Sequence, residues 1–322
     1  MKDFTGKIAV ITGGGTGMGR ELARQLVAEG CNVAMCDVSE TNMAATKALC
    51  EAEAAQGTRV TTFIADVSDK DQIDRFRDAV ARDHGTDKIH LLFNNAGIGG
   101  GGSMVTSDPR EWEKTFNVCW GGVYNCTRAF LPMLTAASEG HIVNTSSVNG
   151  LWASIGPGVP HTAYAAAKFA VRGFSEALMT DLAMNAPHVK CSVVMPGHIG
   201  TDIVANSRKV LTGDDSDTPG QWVIEMTRNR LKAAGMDPTS LSDSDIAAMA
   251  AEAARRFRDE APTTAAEAAS VILDGVKAGR WRILIGHDAE VIDNMVRADP
   301  EHAYDDEFFQ RLVKETGWRL GN

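Results

Sequence analysis

The sequence predicts an α/β protein built on a doubly wound parallel sheet of about seven strands, with an enlarged C-terminal helical part. Three observations predict it: short β-branched apolar runs alternate with longer helical patterns, the strand runs are apolar almost without interruption, and chemically distinctive residues recur at the strand ends. Alternation of strand and helix is the order of a βαβ chain, whose crossovers keep neighbouring strands parallel. Continuous apolarity is what a strand needs when helices cover both faces of its sheet. Such sheets bind ligands beyond the carboxyl ends of their strands, so the third observation carries a functional expectation.

Taken in order, a strand over 7–12 feeds a helix ending at 29. Strand and helix then follow as 32–36 and 41–55, 59–64 with 70–84, 89–93 with 109–136, and 140–145 with 161–185, before a strand at 188–194. The regularity breaks after Pro196-Gly197. Residues 199–262 are rich in Asp and Ser at 213–217 and 240–245, yet hold amphipathic stretches at 221–234 and 245–257, which predicts a helical lid and not a linker. Thr264-x-x-Glu267 has capping-box spacing and opens a helix through 276, followed by a last strand at 282–285. From Asp288 onward charge mixes with Tyr304, Phe308, Phe309 and Trp318; a solvated terminus is expected, with a subunit contact as the weaker reading. The whole, 1–322, is read as one domain with 199–262 as substrate lid and 288–322 as tail.

At the end of the first strand stands Thr12-Gly13-Gly14-Gly15-Thr16-Gly17-Met18-Gly19, opening a helix. Bare glycines let backbone approach a pyrophosphate, and a helix N-terminus supplies amide donors and positive potential. Gly13, Thr16, Gly17, Met18 and Gly19 are therefore candidate cofactor residues. Asp37 ends the second strand, where a carboxylate accepts hydrogen bonds from a ribose 2′-hydroxyl. Thr16 and Val38 bring no arginine to receive a 2′-phosphate, which favours NAD over NADP. Asp66-Val67 and Asn94-Asn95-Ala96-Gly97 close the third and fourth strands at the same edge.

Tyr164 and Lys168 are four residues apart on one helix face, and Ser147 ends the strand-like run from His141. A free phenol titrates near pH 10; a nearby ammonium favours phenolate and lowers that value. Hydroxyl, phenol and ammonium together make a proton-transfer device. Spacing alone is equally compatible with a solvated helical pair, so the surrounding motifs decide.

The formal charge of −10 and a pI near 5.3 argue against nucleic acid or an anionic membrane as partner, since both demand a cationic face. A small-molecule partner is expected. The six cysteines lack a Cys-x-x-Cys pair and fall mostly in apolar runs, which fits a reducing compartment and calls for no metal. No signal-peptide core follows Met1, and no stretch reaches the roughly 18 apolar residues of a membrane helix. A soluble, cytoplasmic protein is expected.

Together these residues resemble the short-chain dehydrogenase/reductase family over Lys7 to Thr201. The resemblance rests on the loop at Thr12 to Gly19, Asn95-Ala96-Gly97, Ser147, Tyr164-x-x-x-Lys168 and Pro196-Gly197. It implies a Rossmann-type fold and a homodimer or homotetramer. It also implies Tyr164 as catalytic acid/base, Ser147 steadying the substrate oxygen, and Lys168 binding the nicotinamide ribose while lowering the Tyr164 pKa. Pro196, Gly197, Ile199 and Thr201 fall along the cofactor, with Thr201 at the position that touches the carboxamide. Ser147 is preferred to Ser146 because the family's serine is the second of such a pair.

Two departures stand out. Cys119 occupies the place of a helix asparagine that extends the family's proton relay, with Asn117 two residues early, and a thiol is a poor substitute donor. The offset from Ser147 to Tyr164 is 17 residues, a few longer than usual, and the extra loop holds Trp152, Ile155, Pro157, Pro160 and His161. The expected activity is NAD-dependent interconversion of a bulky, largely apolar secondary alcohol and its ketone. Ile203, Val204, Val210, Leu211, Trp222, Val223, Met226 and Leu231 are read as an apolar surface for that ligand. The alternatives are an NAD-binding sensor or scaffold without turnover, and an epimerase or dehydratase that uses bound NAD transiently.

Overall fold

The computed structural model describes residues 1–213, 220–233 and 235–318, without the side chains at 221, 222, 230 and 233. The Trp222 side chain and most of the acidic stretch 213–217 lie outside the described residues. The chain runs β1 (Ile8–Thr12), α1 (Gly17–Ala28), β2 (Asn32–Asp37), α2 (Glu40–Glu53), β3 (Val60–Ile64), α3 (Lys70–His84), β4 (Leu91–Asn94), α4 (Pro109–Phe116), α5 (Gly122–Thr135), β5 (Gly140–Thr145), α6 (Thr162–Asn185) and β6 (Val189–Pro196). There follow β7 (Ile199–Gly200), α7 (Ile203–Thr212), α8 (Gln221–Ala233), α9 (Asp243–Asp259), β8 (Thr263–Thr264), α10 (Ala265–Lys277), β9 (Arg282–Ile285), α11 (His287–Ala298) and α12 (Asp306–Thr316).

Seven strands pair in the order β3-β2-β1-β4-β5-β6-β9, every pair parallel. The chain changes winding direction between β1 and β4, so Thr12-Gly13 and Asn94 to Gly97 end side by side. Crevices at such switch points are where doubly wound sheets take ligands. One apolar core packs α1 and α10 through Leu22, Leu26, Ile272 and Leu273, and a second packs α3, α5 and α6 through Phe76, Phe130 and Leu178. Each face of the sheet is thereby closed, which is why its strands had to be apolar on both sides.

The helix expected over 109–136 is interrupted. A π-helical turn, Asn117–Gly121, separates α4 from α5, a feature that recurs at functional sites. Directly after it the helix comes against the β3–α3 connection so closely that a Cβ on Gly122 would stand 2.5 Å from Val67 Cγ2.

The excursion after β6 is stapled at its base, where β7 and β8 pair in parallel through Ile199–Thr263 and Gly200–Thr264. Within it, α8 and α9 bury Ile224, Ile246 and Ala247 against Leu241, making a satellite core. Val223 and Leu231 are also buried, while Val204 and Met226 are exposed. Helix α7 differs: Ile203 and Val210 face the cleft along the sheet edge.

The tail corrects its expectation. Asp288, Phe308, Leu312 and Trp318 are buried, and the aromatic pair packs on Trp152 with Ile292 and Met295. What reads as alternating charge and aromatic character is two amphipathic helices whose apolar residues recur every three or four positions. Among the described residues no helix is long and apolar enough to cross a membrane.

Candidate active site

A cleft of about 830 Å³ opens along the carboxyl edge, within the usual range for small-molecule sites. Gly13, Thr16, Gly17, Met18, Asp37 and Val38 line it from the β1 and β2 side. Asp66, Val67, Asn95, Ala96, Gly97 and Thr201 complete the wall expected from sequence. Gly13 and Gly17 have φ of 67° and 54°, a region that L side chains rarely adopt. Gly19 serves packing instead: a Cβ there would overlap the Gly13 carbonyl oxygen. Thr16, the N-cap of α1, makes no side-chain cap bond, so the first-turn amides remain for a ligand. Its hydroxyl instead accepts from Asn206 Nδ2 of α7 at 2.9 Å.

The switch point is held by Thr12, whose hydroxyl accepts from the amides of Asn95 and Ala96, each at 3.0 Å. Asn95 Nδ2 returns a bond to the Thr12 carbonyl at 3.1 Å, while its buried Oδ1 has no partner among the described residues. The Asp37 carboxylate accepts from Gly15 N at 3.0 Å and Ser39 N at 3.1 Å, which fixes it at the mouth of the β2 turn. Asp66 binds Lys114 and Ser68. Burial pushes its carboxyl up, but the bonds from Lys114 and Ser68 outweigh this and hold it below the usual range. Uncapped amides, an orphaned Asn95 oxygen and glycines that keep the cradle clear fit the pyrophosphate and ribose of a dinucleotide.

Ser147, Tyr164, Lys168, Pro196, Gly197 and Ile199 do not line this cleft. Gly97 connects the two places, since a Cβ on it would lie 3.5 Å from Lys168 Nζ. Lys168 is buried in α6, donates to the Thr145 carbonyl at 2.9 Å, and stands over the Tyr164 ring 5.3 Å from its centroid. Ser146 donates its hydroxyl to the Lys168 carbonyl at 2.8 Å, while the Ser147 hydroxyl accepts from Asn149 N at 3.1 Å and favours the ionised form of the Tyr164 phenol. A buried polar chain seats α6 on the sheet: Asn94 Nδ2 donates to Thr127 at 3.0 Å and to Asn144 at 2.8 Å, and Asn144 Nδ2 to Ser175 at 3.0 Å.

The expected lowering of the phenol does not emerge. Burial pushes the Tyr164 phenol above its ordinary value, and the pull of the Lys168 ammonium and of Ser147 is too small to reverse it. Desolvation opposes the charged phenolate, and how deeply the ring is enclosed is a tertiary property.

Residues 7–212 match the family profile described as short chain dehydrogenase. The chain belongs to that family. SadH of Mycobacterium tuberculosis (strain ATCC 25618 / H37Rv), which carries an oxidoreductase name, is 35% identical over 297 residues, covering 92% of each chain. Levodione reductase of Leifsonia aquatica is 32% identical over 228 residues, 70% of this chain and 82% of that protein. Among solved structures, a short-chain dehydrogenase/reductase from Burkholderia phymatum in complex with NAD superposes with a TM-score of 0.72 at 29% identity, covering 96% of this chain and 97% of that one. This short-chain dehydrogenase is therefore an oxidoreductase.

In this short-chain dehydrogenase the thiol at the unusual position, Cys119, is buried and donates to the Ile98 carbonyl at 3.1 Å. His161 lies against Tyr164, ring centroid to ring centroid 4.8 Å. Sequence reasoning missed Asn206 and Lys114, which reach the cleft from α7 and α4 with no local motif to announce them. It also missed Asp288. That carboxylate accepts from His198 N at 2.6 Å and fills the space a Cβ on Gly197 would need. Burial raises its pKa.

Proposed function

We propose that this protein interconverts a bulky, largely apolar secondary alcohol and its ketone with NAD as cofactor. The observation that carries the reading is the Tyr164 ring under the Lys168 ammonium, with Ser147 favouring the ionised phenol, one glycine away from the dinucleotide cleft. Gly13, Thr16, Gly17 and Met18 would hold the pyrophosphate, and Asp37 the adenosine ribose. Bound there, the nicotinamide accepts or donates the hydride. Tyr164 takes the alcohol proton on its phenol oxygen during oxidation and returns one to the carbonyl oxygen during reduction. Ser147 donates to that same oxygen. Lys168, anchored on Thr145, keeps positive charge beside the phenol as it ionises. Because the phenol stands above its ordinary value, reduction starts from the resting protonated form and oxidation accelerates as pH rises.

For NAD, the support is Asp37: a 2′-phosphate beside it meets like charge, while Val38 and Ser39 offer no cation. Arg20, in the helix that opens at the glycine loop, is committed to the Gly15 carbonyl at 2.6 Å and to Thr46 at 2.9 Å. For an apolar substrate, the support is the rim. Met104 and Val105 are 68% and 92% exposed, just beyond Gly101 and Gly102, whose carbonyls accept the Ala163 and Thr162 amides at the head of α6. A relative named levodione reductase fits carbonyl reduction.

Steady-state NADH formation across isopropanol, a sugar alcohol, a cyclic terpene alcohol, an aryl carbinol and a hydroxysteroid tests the substrate class, and equal NAD and NADP test the cofactor. Highest kcat/KM on one of the last three alcohols with NAD is expected. Highest efficiency on isopropanol or the sugar alcohol overturns the substrate class, and equal or better efficiency with NADP overturns the cofactor.

A further inference from the structure

We infer that the C-terminal segment from α11 to Trp318 is a specificity element of this enzyme, with Tyr304 and Trp318 as positioning residues that set the shape of the loop between Ser147 and Tyr164. The inference rests on the functional reading above: the loop leaves from Ser147, which donates to the substrate oxygen, and returns to Tyr164, which exchanges its proton, so its course bounds the space beside that oxygen.

Three bonds join the tail to three residues within the four-residue stretch 152–155 of the loop. Trp152 Nε1 donates to the Ala303 carbonyl at 2.6 Å, Ala153 N donates to the Tyr304 hydroxyl at 3.1 Å, and Trp318 Nε1 donates to the Ile155 carbonyl at 3.0 Å. Trp152 is 2% exposed, and its ring lies 5.5 Å from Phe308 and 6.4 Å from Trp318, centroid to centroid. From within the loop, Asn149 Nδ2 ties down the Trp152 carbonyl at 3.0 Å and the Ser154 carbonyl at 2.7 Å.

The far end of the loop is fastened elsewhere. Thr162 N donates to the Gly102 carbonyl at 3.0 Å and Ala163 N to the Gly101 carbonyl at 3.1 Å, immediately after His161, whose ring packs tilted against that of Tyr164. Between these clamps lie Gly156 and Gly158, with φ of 141° and 73°, flanking Pro157. The tail thus decides where the loop leaves the protein core, and the α6 clamp decides where it returns beside the phenol. None of Ala303, Tyr304, Phe308 and Trp318 lines the dinucleotide cleft. A change in the tail therefore reaches substrate before it reaches cofactor.

The test uses the full chain with NADH bound and the variants Tyr304→Phe, Trp318→Phe and their combination, which remove donor or acceptor while keeping aromatic packing. Hydrogen–deuterium exchange at amides 151–161 should rise at least about threefold in the double variant, while amides 12–20 stay unchanged. Losing bonds of this kind shifts an equilibrium by about threefold to tenfold. The KM of the preferred alcohol in the panel should rise by about that factor, with kcat and the NADH Kd within about twofold of the parent. Unchanged loop exchange overturns the inference, and so does a loosened loop with unchanged KM and unchanged ranking of alcohols. If the parent oxidises no alcohol in the panel, the functional reading fails and the exchange result alone decides the positioning role. Should the double variant unfold, the two single variants carry the same readouts.

Discussion

Strand β5 bears a buried polar side chain at its amino end and leads into another just past its carboxyl end, and the two behave in opposite ways. His141 and Ser147 are 2% and 8% exposed, so burial does not distinguish them. At the amino end hydrogen bonding is closed: His141 Nε2 lies 2.7 Å from the Ser192 hydroxyl, which donates onward to the Arg280 carbonyl at 2.6 Å. With its proton committed, Ser192 must accept from Nε2–H, and that sets the neutral tautomer. At the carboxyl end Ser147 meets the Tyr164 phenol, and nearby the Asn95 oxygen and the first amides of α1 are left without protein partners among the described residues. Closed buried groups report on stability, and open ones beside a cleft report on chemistry.

The largest expected effect probes the open end. Tyr164→Phe should lower kcat by about 10²- to 10⁴-fold, the usual cost of losing a general acid/base. NADH affinity, followed by fluorescence titration, should stay within about twofold, and the unfolding midpoint should not move. Lys168→Ala should damage both turnover and cofactor binding. Near-full activity in Tyr164→Phe would put Ser147 and Tyr164 in the same structural class as His141.

The closed end gives the next effect, on stability. Burial, then the charges of the N-terminus and Lys190, holds the His141 imidazole down at about 4. An unfolded chain protonates it near 6.5. Below that pH the unfolded state takes up a proton that the folded state refuses, so this contribution is full above 6.5 and drains away as pH falls toward 4. The whole excursion is worth on the order of 3 kcal/mol. His141→Gln keeps a donor near the Nε2 position and cannot titrate. Denaturant unfolding at pH 7, 5.5 and 4.5 should show a shallower loss for the variant, with kcat at pH 7 unchanged. Parallel slopes for the two proteins would rule out a neutral buried His141.

Asp288 lies between these extremes, a buried carboxylate serving the turn at Gly197. Its raised pKa means that the ionised form is penalised: the penalty is absent below about 3.8 and sets in as pH rises through the folded value. Asp288→Asn keeps an acceptor for His198 N without the charge, so at pH 7 it should equal or exceed the parent in stability. Asp288→Ala leaves that amide buried and unpaired, at a cost of about 1–3 kcal/mol. Equal stability of the two variants at pH 7 would remove the hydrogen bond from the account.

The strands and the turns at their ends were legible because each depends on local composition: apolar runs for two-sided burial, glycines where backbone must pass close, and Asp37 at the end of β2. Tyr164 and Lys168 were legible from helical spacing. The enclosure that raises the phenol was not, because desolvation sums contributions from several elements. Asn206 and Lys114 reach the cleft across long sequence separations, and Asp288 resembles any acidic residue opening a tail. Of the apolar surface expected in 199–262, Ile203 and Val210 line the cleft while Val223 and Leu231 are buried in the excursion; amphipathicity says that a face is covered, not by what.

Cys119 gives the smallest expected effect and the finest test of the open end. Its thiol touches no solvent, donates to the Ile98 carbonyl at 3.1 Å, and lies 3.6 Å from where a Gly97 Cβ would stand, beside Lys168. It also adds to the upward push on the Tyr164 phenol. A thiol is a weak donor, so Cys119→Asn should supply the same carbonyl with a stronger one and keep kcat within about threefold. The pH at which alcohol oxidation reaches half its maximum should move slightly downward as the push on Tyr164 disappears. Cys119→Val removes the donor altogether and should cost about 1 kcal/mol of stability through the unpaired carbonyl. Both outcomes make Cys119 a holder of the Ile98 turn. Loss of turnover in both variants, with folding and NADH binding intact, would instead make the thiol itself part of the proton path beside Tyr164.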